Sequence, residues 1–105
     1  MGFGELGRYM FGRDRLHMIE ALGDYLILKE RVEQDIKTKQ YRMSTELAFL
    51  HSARNYFESV TKVEGNVDGK LDYVRKEITD IIQKTHPTHR VKLQRDFPEI
   101  LPVLH

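Results

Sequence analysis

The stretch VDGKLDYVRKEITDI, residues 67–81, carries the clearest structural signal in this chain. Its apolar residues recur at steps of four, three, four and three, and this spacing stacks side chains along one stripe of an α-helix. The stripe consists of Val67, Leu71, Val74, Ile78 and Ile81. The pattern predicts a helix over about residues 67–84 that buries its apolar stripe against other helices.

Two upstream segments carry similar stripes and predict helices over about residues 14–37 and 44–63. Their start and stop signals are Ser44 or Thr45 as an N-cap for the second helix, Gly65 as its C-cap and Asn66 as the next N-cap. The first stripe contains Met18, Leu22, Tyr25, Leu28, Val32 and Ile36, with Ile19 and Leu26 widening the same face. The second contains Leu47, Leu50, Ala53, Phe57 and Val60, flanked by Phe49 and Tyr56.

The two ends of the chain lack a comparable pattern. Residues 1–13 hold four of the seven glycines, so we expect an irregular N-terminal arm there. In the tail, residues 85–105, Pro87 disfavours a helical His86, and a short helix around His89 to Arg95 is the most that the three prolines allow. The expected fold is therefore all-α, a single domain over 1–105 with three helices running up, down and up.

One question about this architecture stays open at the level of sequence. The tail is apolar at Phe97, Ile100, Leu101, Val103 and Leu104, so it can fold back over the helices. Alternatively, the heptad-like stripe of the third helix forms the seam of a dimer, which would enlarge a modest core. Homodimerisation is expected on the second alternative.

Composition excludes some function classes and sets a default compartment. The chain has no cysteine, so it has neither a disulfide nor a thiol nucleophile. No run approaches the length of a membrane span, and the N-terminus lacks a signal-peptide pattern, so we expect a cytoplasmic protein that does not act at membranes. A formal net charge of +1 gives no global attraction to nucleic acid, which makes local charge the feature to inspect.

Candidate sites for chemistry are weak, so we predict no enzyme, cofactor or metal. Gly2, Gly4 and Gly7 match the spelling of a dinucleotide-binding loop, but that loop requires a preceding strand. His86 and His89 could approach each other, but they lack a convincing third ligand for a structural metal. No positioned nucleophile or acid–base pair can be named among the predicted helices.

A protein-binding function fits the sequence best. Aromatic and arginine side chains are enriched at binding hot spots, and the N-terminal arm contains both. The predicted function is that of an interaction or regulatory protein that docks through a helix face and this arm to a protein partner and self-associates. The candidate contact residues are Phe3, Tyr9 and Phe11 in the arm and Leu71, Val74 and Ile78 as core or dimer seam.

The alternative is a nucleic-acid-binding regulator. No acidic residue occurs between Ile81 and Arg95, and a second basic group surrounds Tyr41. An up-down-up bundle would bring these two segments, 37–42 and 84–95, to one end, where the cations suit phosphates and Tyr41 could stack on a base. The candidate residues are Lys37, Lys39, Tyr41, Arg42, Lys84, Arg90, Lys92 and Arg95.

Overall fold

The regular elements that the structure describes are all helices, which confirms the all-α part of the predicted fold. The computed structural model describes residues 3–65 and 68–101, with side chains for 12–65 and 69–101, and these residues contain no strand. Helix α1 spans Phe3–Lys37, α2 spans Met43–Glu64, α3 spans Asp68–Ile82 and α4 spans Pro87–Asp96. The short helix expected in the tail is thus α4, and Pro87 opens it after an extended His86.

The prediction of an irregular arm was wrong over residues 3–13, because α1 begins at Phe3. Each interior glycine costs a helix roughly 1 kcal/mol relative to alanine, which motivated that prediction. The costly step of helix formation is nucleation, however, and a segment that continues an existing helix avoids it. The resulting helix has 35 residues and is about 52 Å long, against about 33 Å for the 22-residue α2.

The boundaries of α2 confirm one predicted cap and correct the other. The N-cap is Arg42, which makes no side-chain capping hydrogen bond, so the prediction of Ser44 or Thr45 was wrong. At the other end, Gly65 has a φ of 77° and donates its backbone N–H to Thr61, as the glycine stop predicted. The Asn66 cap lies outside the described residues.

The core forms around α2, because its whole predicted stripe is inward-facing. Tyr25 of α1 stacks on Phe49 and on Tyr56, with ring centroids 5.4 and 6.0 Å away. Its hydroxyl donates to Glu77 Oε1 of α3 at 2.8 Å, and Lys29 Nζ lies 2.9 Å from the same oxygen. Tyr25 is fully buried and therefore links α1 to both α2 and α3.

The tail folds back over the core, which answers the question that the sequence left open. Leu93, Phe97, Ile100 and Leu101 are all fully buried. Arg54 of α2 fastens this segment, because its Nε donates to Glu99 Oε1 at 2.6 Å and its guanidinium lies 4.3 Å from the ring centroid of Phe97. Val103 and Leu104 lie outside the described residues.

Candidate interaction surface

Helix α1 is apolar on two opposite sides, and among the residues whose side chains are described one side is buried and the other is exposed. Ala21, Tyr25 and Val32 are buried in the core. Tyr25 is nine residues from Leu16, which at about 100° per residue places the two on opposite sides of the helix. On the Leu16 side lies an apolar strip that we call the outer face of α1. It consists of Gly12, Leu16, Ile19, Gly23, Leu26 and Ile27.

The large side chains of the outer face are exposed. Leu16, Ile19, Leu26 and Ile27 have between 49% and 60% of their surface exposed. The prediction that Ile19 and Leu26 widen the core-facing stripe was therefore wrong, since both side chains are about half exposed or more and lie about 120° and 100° around the helix from Tyr25. A contiguous exposed apolar strip of this kind is typical of protein-binding surfaces.

The spacing of the outer face is that of a helix-pairing seam. From Gly12 to Leu26 its residues follow one another at steps of four, three, four and three, and Ile27 adjoins the last. A Cβ atom added at Gly12 or Gly23 would meet nothing within 4 Å, so both glycines are open positions. The next seam position is Glu30, where the apolar strip ends.

Two surface depressions adjoin the C-terminal end of this strip. One, of about 330 Å³, is lined by Ile27, Arg31 and Ser52 among others, and the other, of about 440 Å³, by Ile27, Glu30 and Gln34 among others. Both are shallow and mixed in polarity. Both lie at the edge of the apolar strip.

The predicted contact residues fall into two groups. The side chains of Phe3, Tyr9 and Phe11 lie outside the described residues, although their backbone belongs to α1. Leu71 and Ile78 are buried, and Val74 packs against the core from a half-buried position. The stripe of α3 is therefore occupied within one chain.

The structure brings part of the predicted basic surface together. Lys37 of α1 and Lys84 beyond α3 line one groove of about 400 Å³, and the rings of Tyr41 and His86 meet edge to face, 6.2 Å apart. The same groove is also lined by Glu33, Glu77 and Asp80. Acidic side chains therefore interleave with the lysines and weaken any attraction for phosphate.

Three of the remaining basic residues have an acidic neighbour. Arg42 Nε lies 3.9 Å from Asp35 Oδ1. Lys92 and Arg95 both lie within 4 Å of the carboxylate of Asp96. Lys39 is exposed at a positive φ of 59°, and Arg90 is half-buried and in contact with a neighbouring group. These contacts leave the predicted cationic surface mixed in charge.

One polar contact, between α2 and α4, was not predicted from the sequence. Glu46 of α2 is 1% exposed, and His89 Nδ1 of α4 lies 2.7 Å from its Oε1. Burial raises the pKa of Glu46, while the hydrogen bond and charge of His89 act in the opposite direction. The pair joins α4 to α2. Only a glutamate inside an otherwise apolar helix face hinted at it in the sequence.

Neither a membrane-spanning helix nor a metal site occurs in the part of the chain that the structure describes. None of its helices is long and apolar enough to cross a membrane. Within residues 12–65 and 69–101, no group of three or more His, Asp or Glu side chains is placed to hold a metal ion. Comparison with protein families, curated proteins and solved structures finds no match to this chain.

Proposed function

We propose that this protein is a non-enzymatic interaction or regulatory protein that binds a helix of a protein partner on the outer face of α1. The observation that carries the proposal is the second apolar face of α1. Its large side chains are about half exposed, although the opposite face already serves the core. Apolar anchors at helical spacing are the usual means by which one amphipathic helix docks on another.

The energetics require more than this strip alone. Burying one Leu or Ile side chain contributes about 1.5–3 kcal/mol, so four half-exposed anchors supply several kcal/mol. Association costs about 4–15 kcal/mol in lost translational and rotational freedom. A stable complex therefore needs contacts beyond the outer face as well. We assign that role to Phe3, Tyr9 and Phe11, whose types suit binding hot spots. We also propose that α1, α2 and α3 run up, down and up, and that α4 and the tail pack against them.

The proposal is tested by making the binding depend on one residue of the outer face. The tagged chain is purified from the cells that naturally make it, as wild type, Ile19→Glu and Tyr73→Glu. Tyr73 is a matched control, because it is an exposed apolar residue on α3. We expect the wild type and Tyr73→Glu to retain the same stoichiometric protein, and Ile19→Glu to lose it. Retention by all three variants would contradict the proposal.

Nucleic-acid binding is the second candidate function. The meeting of Tyr41 with His86, and of Lys37 with Lys84, supports it because the two predicted basic segments do approach each other. The carboxylates in the same groove argue against it. Replacing Arg90, Lys92 and Arg95 with Gln should abolish such binding and leave docking on α1 intact.

A further inference from the structure

We infer that the occupant of the outer face is a second copy of this chain, with the two α1 helices antiparallel about a two-fold axis near the level of Ala21. The inference rests on the proposed function, since it names the partner of the same surface. Ala21 itself points into the core, so the axis passes over the opposite, exposed side. The inference is carried by the shape of the seam and by the charge at its C-terminal end.

The shape of the seam is self-complementary in one antiparallel register. That register sets Ile19 of one copy against Gly23 of the other, and Leu16 against Leu26. A large side chain then meets an open glycine, and two leucines meet each other, which is how facing helix positions interdigitate. A parallel pairing would instead set Gly23 against Gly23 and leave a gap at the centre.

Charge at the end of the seam favours the same orientation. The seam continues from Leu26 to Glu30 and then Glu33. In a parallel pair each of these glutamates would face its own copy, and like charges held together in a seam oppose association. In the antiparallel register, Glu30 of one copy faces Gly12 of the other copy, and the missing side chain leaves room for water. Glu30 then also lies beside Arg13 of that copy, which has the opposite charge.

The charges on the flank of the seam favour the parallel orientation, and they make the two orientations distinguishable. Glu20 is exposed and lies beside the outer face, one residue after Ile19. In the antiparallel pair, Glu20 lies next to Glu20 of the other copy across the axis. In a parallel pair, Glu20 would face Arg15 instead, five residues earlier in the partner helix. Neutralising Glu20 must therefore tighten an antiparallel dimer and weaken a parallel one.

Cross-linking reads the orientation directly, because the chain has no cysteine of its own. Leu16→Cys and Leu26→Cys are prepared separately as full-length folded protein. Each variant by itself, and a mixture of the two, is then treated with a short bis-maleimide. These positions are about 15 Å apart along the helix. We expect covalent dimers in the mixture and few in either sample alone. Dimers in each sample alone would overturn the antiparallel arrangement.

The control for chance encounters is Tyr73→Cys, which is exposed on α3. Mixed with Leu16→Cys, it should give no more cross-linking than Leu16→Cys does alone. Equal cross-linking in both mixtures would mean that the thiols meet by random collision, which would overturn the assigned register.

Sedimentation equilibrium of the full chain separates this inference from the proposed function. We expect a concentration-dependent wild-type dimer, at least tenfold weaker association for Ile19→Glu and a severalfold tighter dimer for Glu20→Gln. A wild type that stays monomeric overturns the inference, while the proposed function still stands or falls on the Ile19-dependent partner. A dimer that Ile19→Glu leaves unchanged also overturns the inference, because the two copies would then meet on another surface.

Discussion

The two sides of α1 are both apolar, but one is buried in the core and the other is exposed. Ala21, Tyr25 and Val32 on one side are buried, while Leu16 and Ile19 on the other are more than half exposed. Both sets recur at helical spacing, so both belong equally to the pattern that predicts the helix. The comparison shows that periodicity identifies a helix reliably but does not say which of two apolar faces its own chain covers.

The largest expected effect is on the covered side. Tyr25→Ala removes a ring that stacks on Phe49 and Tyr56 and should cost about 3–5 kcal/mol of unfolding free energy. Ile19→Ala, on the outer face, should change the stability of the dilute chain by less than about 0.5 kcal/mol. Urea unfolding at low protein concentration measures both. Comparable losses for the two variants would erase the difference between the faces.

A smaller loss is expected where α4 is fixed to α2. His89→Ala leaves the carboxyl of Glu46 buried without its partner, at a cost of about 1–3 kcal/mol. His17→Ala is the control, because His17 is exposed on α1 and should be silent. Urea unfolding again gives the two values. If His89→Ala proved as silent as His17→Ala, the pair would have no part in closing the core.

The contact between α1 and α3 predicts a pH dependence. Burial alone would raise the pKa of Glu77, but hydrogen bonds from Lys29 and Tyr25 outweigh it and hold the pKa below its usual 4.5. The unfolded chain therefore binds this proton more tightly, so the stabilisation is present above about pH 4.5 and is lost as the pH falls through the lower folded value.

Glu77→Gln should consequently destabilise the protein by about 1–2 kcal/mol at pH 7, as expected for hydrogen bonds to a charged group, and by much less at pH 3. Glu58→Gln, at an exposed position of α2, is the matched control. Unfolding free energies at the two pH values give the comparison. A deficit for Glu77→Gln that does not change with pH would show that the lowered pKa makes no contribution.

The smallest effect is expected in the binding of nucleic acid. Labelled single-stranded and duplex oligonucleotides, titrated at about 50 mM and about 200 mM salt, should show little change in anisotropy, because the basic residues lie among carboxylates. Tight binding at low salt that collapses at the higher concentration would move the functional surface from α1 to the end formed by Tyr41 and His86.

Sequence predicted much of the fold because helix periodicity and chain breakers act locally. The stripes of α2 and α3, the Gly65 stop and the non-helical His86 before Pro87 all follow from residues within one or two turns. The helical state of residues 3–13 did not follow, because it depends on continuation from an established helix and not on the glycines alone.

The candidate surface was harder to predict than the fold. Leu16 stood outside the predicted stripe, and Ile19 and Leu26 were placed inside it, because one-dimensional spacing cannot tell a wide face from two separate ones. The contact between Glu46 and His89 spans 43 positions in sequence, and only the packing of α4 on α2 reveals it. Such long-range choices are made by the tertiary structure.

The central claim is that the outer face of α1 is where this protein binds another chain, and site-specific photo-cross-linking tests it most directly. A photoreactive residue replaces Ile19, Leu16 or, as a control, Tyr73, in the cells that naturally make the protein. The account predicts discrete protein adducts from positions 19 and 16, at the mass of a second copy, and none from position 73. No adduct at 19 and 16, or the same adducts at 73, would contradict it.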